Sequence, residues 1–98
     1  MKRITEISQL TKGDVIVTIA DHKIVRREFI CVHPHNDKYS IFLDECYDGC
    51  KKFYNETLKF NKWYLFTGSK QEWKELNTTM VEELKKEMDF YERYSKKL

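Results

Sequence analysis

The spacing of apolar residues changes once along this 98-residue chain, and that change constrains the fold more than any single motif does. Before Gly68-Ser69, apolar and polar residues alternate with a period of two, as in half-buried strands. After it, Trp73, Leu76, Met80, Leu84, Met88, Tyr91, Tyr94 and Leu98 recur about every 3.6 residues, the period of one helix face. A chain of this length supports one hydrophobic core. The sequence therefore predicts a single α+β domain: a small antiparallel, barrel-like sheet of roughly four to six short strands, over about residues 10–68, followed by a long amphipathic helical segment over about 69–97.

Ile4, Ile7 and Leu10, three apart, suit a short turn of helix or an edge segment, and Lys12-Gly13-Asp14 turns the chain into the strand Val15-Ile16-Val17-Thr18-Ile19. Ala20-Asp21-His22-Lys23 has hairpin-loop polarity. A second strand, Ile24 to His33, carries Arg26-Arg27-Glu28 at its middle, and Pro34 ends it because proline lacks the ladder donor. Tyr39 to Leu43 returns antiparallel to it. Tyr47-Asp48-Gly49 gives a second hairpin signal, since glycine enters the left-handed region without steric cost. Cys50 to Tyr54 follows as a strand, Asn55-Glu56-Thr57 interrupts it, and Leu58 to Phe66 supplies another extended stretch.

Ser69 with Glu72 three residues on predicts a capping box at the start of the helical segment. Asn77-Thr78-Thr79 is its weak link, where it can divide into a short helix and a long one from about 80 to 97, acidic at the start and closed by Lys96-Lys97 in accord with the helix dipole. A twisted meander opened by Lys12-Gly13-Asp14 and closed by an amphipathic helix resembles, over residues 10–68, the small Src-homology-type or Sm-like barrels. The resemblance implies a curled sheet and names no activity, because such barrels carry many functions.

Lys and Arg number 18 and Asp and Glu 16, a net charge of +2 that does not suit a protein living on duplex DNA. No apolar run approaches the ~18 residues of a membrane helix, and Met1 to Glu6 turns polar where a signal peptide turns apolar. Cys31, Cys46 and Cys50 are an odd number at unpatterned spacing, so reduced thiols and a cytoplasmic location are expected, with no membrane partner.

Five constellations carry possible chemistry. Lys51, Lys52, Tyr54, Lys59, Lys62, Trp63 and Tyr64 interleave cations with aromatics, the composition of a surface that pairs with phosphate and stacks bases. Lys stems that cover a sheet edge while the rings fill the core explain the same pattern. Arg26-Arg27 face Asp44-Glu45 if the second and third strands pair across the Pro34 loop, with Arg27 beside Glu45, which makes cross-strand ion pairs. Cys31, His33 and His35 share one strand face, but the pairing sets Cys46 about 20 Å away at ~3.4 Å per residue. Only Cys46, Cys50 and His22 then remain as a zinc trio, and no metal or cofactor is predicted. Cys46 and Cys50 across a three-residue loop stand opposite each other, in position for a strained disulfide. His33-Pro34-His35-Asn36-Asp37 places imidazoles and a carboxylate on one loop without any catalytic scaffold, so no catalytic residue is assigned.

The helical stripe is longer than a small barrel can cover. Met80, Leu84, Met88, Tyr91 and Tyr94 are thus candidates for a seam with another chain, and Val81 and Phe90 widen the apolar face. The sequence points to a non-enzymatic binding protein, an adaptor or inhibitor that acts on a protein partner and forms a homo-oligomer through its C-terminal helix. The alternative is a binder of an anionic nucleotide or single-stranded nucleic acid through the Lys/aromatic surface.

Overall fold

The computed structural model describes residues 1–44 and 49–96. Among them lie the strands β1 (Arg3–Ile4), β2 (Val15–Ala20), β3 (Lys23–Val32), β4 (Tyr39–Asp44), β5 (Cys50–Tyr54) and β6 (Trp63–Phe66). They form one antiparallel sheet in the order β1-β6-β2-β3-β4-β5. A 3₁₀ turn at Ile7–Gln9, a single helical turn α1 (Thr57–Phe60) and the long helix α2 (Lys70–Lys96) complete the chain. The fold is the α+β arrangement expected, with a sheet that curls without closing: β1 and β5 stand at its two edges.

Local chemistry sets the curl. Asp21 and His22 both adopt positive φ, 50° and 61°, so Ala20 pairs with Lys23 across a two-residue turn whose twist matches that of the strands. In the β3–β4 ladder the register slips by one residue between Phe29 and Cys31, and such a bulge bends and twists the strand that carries it. The slip corrects the register expected from the sequence. Near the loop Val32 faces Ser40 as uniform pairing requires, but past the bulge Arg27 faces Asp44 rather than Glu45.

The concave face holds most of the core: Ile4, Ile16, Phe29, Phe42, Phe53, Leu58 and Trp63 are buried there. Its rings run in a chain, Phe29 to Phe42 at 5.4 Å, Phe42 to Phe53 at 5.0 Å and Phe53 to Trp63 at 5.9 Å between centroids. The last contact joins the edge strand β5 to β6 across the curl, so aromatic packing stands where backbone closure would be. The stretch from Leu58 to Phe66 is not one extended segment. Backbone bonds from Leu58 to Asn55, Lys59 to Glu56 and Asn61 to Thr57 wind α1, which tucks Leu58 under the curl and turns Phe60 out at 80% exposure, and only Trp63–Phe66 is strand.

The convex face of β2, β3 and β6 receives the first third of α2. Leu76, 3% exposed, packs with Val17 and Phe66, and half-buried Val15, Ile19, Ile24, Tyr64 and Trp73 surround them. Trp73 meets Phe66 edge-on at 5.0 Å and carries the Arg26 guanidinium on its ring at 5.1 Å. The helix is continuous through Asn77-Thr78-Thr79 and does not split. The Thr79 hydroxyl donates to the Glu75 carbonyl at 2.9 Å, the local bond that lets threonine sit inside a helix.

The capping box forms as expected: the Glu72 amide donates to Ser69 Oγ at 3.2 Å, and Glu72 Oε1 accepts from the Ser69 amide at 3.0 Å. The carboxylate also accepts from the Thr67 amide and hydroxyl. The Thr67 hydroxyl above all, with the Ser69 and Thr67 amides, lowers its pKa from 4.5 to about 2. A depressed carboxylate contributes stability that is whole above pH 4.5 and is lost as pH falls through about 2. Between pH 5 and 2 the thermal midpoint of the native chain should therefore fall further than that of Glu72→Gln; equal falls contradict this role for the cap.

Candidate functional site

Two features stand apart from ordinary packing. The first is the far part of α2. At 27 residues and ~1.5 Å per residue the helix is about 40 Å long, and the molecule measures 54 × 30 × 25 Å. Its radius of gyration of 16.2 Å exceeds the ~13 Å of a compact chain of this length because the helix projects beyond the sheet. Contact with the sheet side continues along a row of Leu76, Met80, Glu83 and Glu87. Leu76 is buried, Met80 half-buried, Glu83 lines a groove, and the Glu87 carboxylate meets His22 Nε2 at the tip of the β2–β3 hairpin.

A second row, Val81, Leu84, Met88 and Tyr91, is centred roughly 90° round the helix from the first at 3.6 residues per turn. It is solvent-exposed throughout: 47% at Val81, 44% at Leu84, 57% at Met88 and 58% at Tyr91. Phe90 and Tyr94 are exposed too but lie off this row, Tyr94 in line with Leu76 and Phe90 about 140° from the row's centre. Of the interface residues read from the sequence, Leu84, Met88, Tyr91 and Tyr94 are thus bare, and Met80 belongs to the sheet-facing row.

The second feature is a charge inside the curl. Asp44, 2% exposed, accepts from Arg27 Nε at 3.3 Å and has Lys51 Nζ at 3.9 Å. The Arg27 guanidinium lies 5.4 Å from the Trp63 ring centroid and 5.7 Å from that of Phe53. Rings from β5 and β6 thus hold a cation from β3, and a carboxylate from β4 neutralises it. A buried carboxylate is tolerated only with such partners.

The Lys/aromatic set is spread over this frame. Lys51, Lys52 and Tyr54 lie on the edge strand β5, with Lys52 Nζ 4.2 Å from the Tyr39 ring and the Tyr54 ring 5.4 Å from it. Lys59 is on α1, paired with Glu56 at 3.4 Å, and Lys62 precedes β6. Trp63 is buried in the concave core, and Tyr64 faces α2. Trp63 is therefore not an outward stacking platform beside Lys51 and Lys52.

On the His33 to Asp37 loop, His33 Nδ1 accepts from the His35 amide at 3.1 Å and the Asn36 side chain accepts from the Lys38 amide at 3.1 Å, so these groups build the turn. Among the described residues no three His, Cys, Asp or Glu side chains converge as metal ligands. Cys31 and Cys50 are exposed free thiols. The readings that involve Glu45, Cys46, Tyr47, Asp48, Lys97 and Leu98 lie outside the described residues.

The cation between two rings is the site feature that sequence reading missed. Its signal was Arg26-Arg27 at the middle of a strand, two adjacent cations that alternation requires to point to opposite faces. No family model, curated protein or solved structure matches the chain. Removal of one partner from a buried pair leaves a bare charge, so Asp44→Ala should lower unfolding free energy by about 2–4 kcal/mol in denaturant titration; a loss under ~1 kcal/mol contradicts the pairing's weight.

Proposed function

We propose that the protein is a non-enzymatic binding module that works by protein–protein contact, and that its first partner is a second copy of itself, joined through residues 81–95 of α2. The observation that carries this is the bare row of Val81, Leu84, Met88 and Tyr91. Their spacing of three, four and three residues, continued by Ser95, is the a/d repeat of a two-helix seam. Glu83 and Glu87 occupy the row that faces the sheet, so the domain's own apolar surface does not cover this one.

The charges beside the seam select the orientation. Val81 and Met88 take a positions and Leu84 and Tyr91 take d, which puts Lys85 and Glu92 at e and Glu87 at g. A parallel pair sets Glu87 against Glu92 of the second copy. An antiparallel pair sets Lys85 against Glu92 of the second copy, twice by symmetry, and so the antiparallel dimer is the one proposed. Four layers make a small interface, consistent with a dissociation constant on the order of micromolar. An adaptor or inhibitor role follows if the same seam exchanges its second copy for another protein. Exposed thiols at Cys31 and Cys50 suit a reducing, cytoplasmic setting, and no described helix is long and apolar enough to cross a membrane.

Light scattering or sedimentation at increasing concentration should give a mass rising from 12.0 kDa toward twice that value, and Met88→Glu should hold it at 12.0 kDa. Glu92→Lys discriminates the orientations. It should weaken an antiparallel dimer by setting Lys85 against a lysine, with recovery in Lys85→Glu/Glu92→Lys, whereas tightening by Glu92→Lys alone would indicate a parallel pair. A monomer at every concentration up to several hundred micromolar would refute self-association.

A further inference from the structure

The curled sheet ends in two unlike edges. β1 offers two residues, whereas β5 offers five, Cys50 to Tyr54, and pairs with β4 alone. The phase of that ladder fixes which backbone groups are left over. The Asp44 amide donates to the Gly49 carbonyl and the Asn55 amide to the Lys38 carbonyl, so the hydrogen-bonded pairs between them are Phe42 with Lys51 and Ser40 with Phe53. The amides and carbonyls of Cys50, Lys52 and Tyr54 therefore point away from β4, and no backbone group among the described residues pairs with them. An open edge of this kind is a template for another strand.

The side chains along it decide which strand fits. Phe53 is buried in the concave core, and Lys51, on the same side, keeps its side chain 44% exposed with Nζ 3.9 Å from Asp44. Lys52 and Tyr54 share the convex side, beyond the strands that α2 covers. Lys52 Nζ rests 4.2 Å from the Tyr39 ring, and no carboxylate among the described residues pairs with it. Past the end of the strand, Tyr54 and Phe60 border a cleft of about 500 Å³, and Phe60 is 80% exposed, the barest large apolar side chain among the described residues. A second copy laid antiparallel on β5 and centred on either lysine sets that lysine against its own counterpart, a repulsive cross-strand pair. The edge is thus closed to its own kind and open to a strand of opposite charge. Read antiparallel to Lys51-Lys52-Phe53-Tyr54, the complement is two apolar residues followed by two acidic ones.

We propose that β5 is a docking edge for an extended acidic segment of another protein, which adds a strand to the sheet. Its carboxylates lie beside Lys52 and Lys51, and its apolar residues lie toward Tyr54 and the Phe60 cleft. Main-chain bonds to Lys52 and Tyr54 supply the hold, and the lysines supply the choice. The edge shares no residue with the α2 seam, so the inference does not rest on the dimer.

The test is titration of the ¹⁵N-labelled full chain with the capped heptapeptide TYVEEVT, with TYVKKVT as the charge-reversed control. TYVEEVT should shift the Cys50 to Tyr54 amides, saturate in the millimolar range or below, and leave residues 81–95 in place. Hydrogen exchange should slow at least about tenfold at the Lys52 and Tyr54 amides, which gain acceptors, and little at Lys51 and Phe53, which already bond to β4. The control should bind at least about threefold more weakly, and Lys52→Glu, an exposed change, should invert the preference. Unmoved β5 amides at about 5 mM TYVEEVT would overturn the proposal. So would equal binding of the two peptides, slowed exchange without the alternation, or tighter binding of single-stranded oligothymidylate, the last in favour of a nucleic-acid partner.

Discussion

A sheet with two apolar faces and a helix too long for either is the constraint from which the other features follow. Curling the six strands hides the concave face inside itself, and Phe53 against Trp63 completes that enclosure without backbone closure. The convex face then needs a cover. Trp73, Leu76 and half-buried Met80 supply it within the first third of α2, and the remaining turns of the helix continue past the sheet with their apolar residues bare. An isolated helical overhang gains little from propensity alone, so its bare apolar row carries a hydration cost that a covering helix would remove.

The interior of the curl is not uniformly apolar. Arg27 enters it because the strand that places Phe29 and Val25 inward places Arg27 inward as well, and β-sheet alternation allows no exception without a bulge. The bulge falls beyond Phe29, at the other end of β3, where it brings Asp44 rather than Glu45 opposite the arginine. One inserted residue thus decides which carboxylate neutralises the buried cation, and Lys51 from the edge strand reinforces it. Such a pair specifies the register more than it adds stability, since desolvation offsets much of the attraction.

The fold was legible in the sequence where periodicity or turn chemistry spoke for itself. The period change at Gly68-Ser69 separates sheet from helix, Ser69 and Glu72 mark the helix start, and Asp21-His22 marks a tight hairpin. Three things were not legible. The bulge near Ile30 has no residue signature, because a bulge is chosen by the partner strand. Leu58 and Phe60 alternate like a strand yet belong to one helical turn, in which backbone bonds from Leu58, Lys59 and Asn61 override the local pattern. The single apolar stripe of the helix is in fact two rows, one toward the sheet and one away; Glu83 and Glu87 within the first and the three-four spacing of Val81, Leu84, Met88 and Tyr91 within the second are the clues that separate them. The Lys/aromatic surface was half legible: its lysines are exposed, but the strand that carries Trp63 points that ring inward.

The central claim is that the far half of α2 is covered by another chain of the same kind. Backbone amide hydrogen exchange of residues 81–95, measured on the full chain at low micromolar and at several hundred micromolar protein, addresses it without any substitution. The account predicts protection that rises with concentration in this segment and stays level in the sheet; exchange in residues 81–95 that is indifferent to concentration would contradict it.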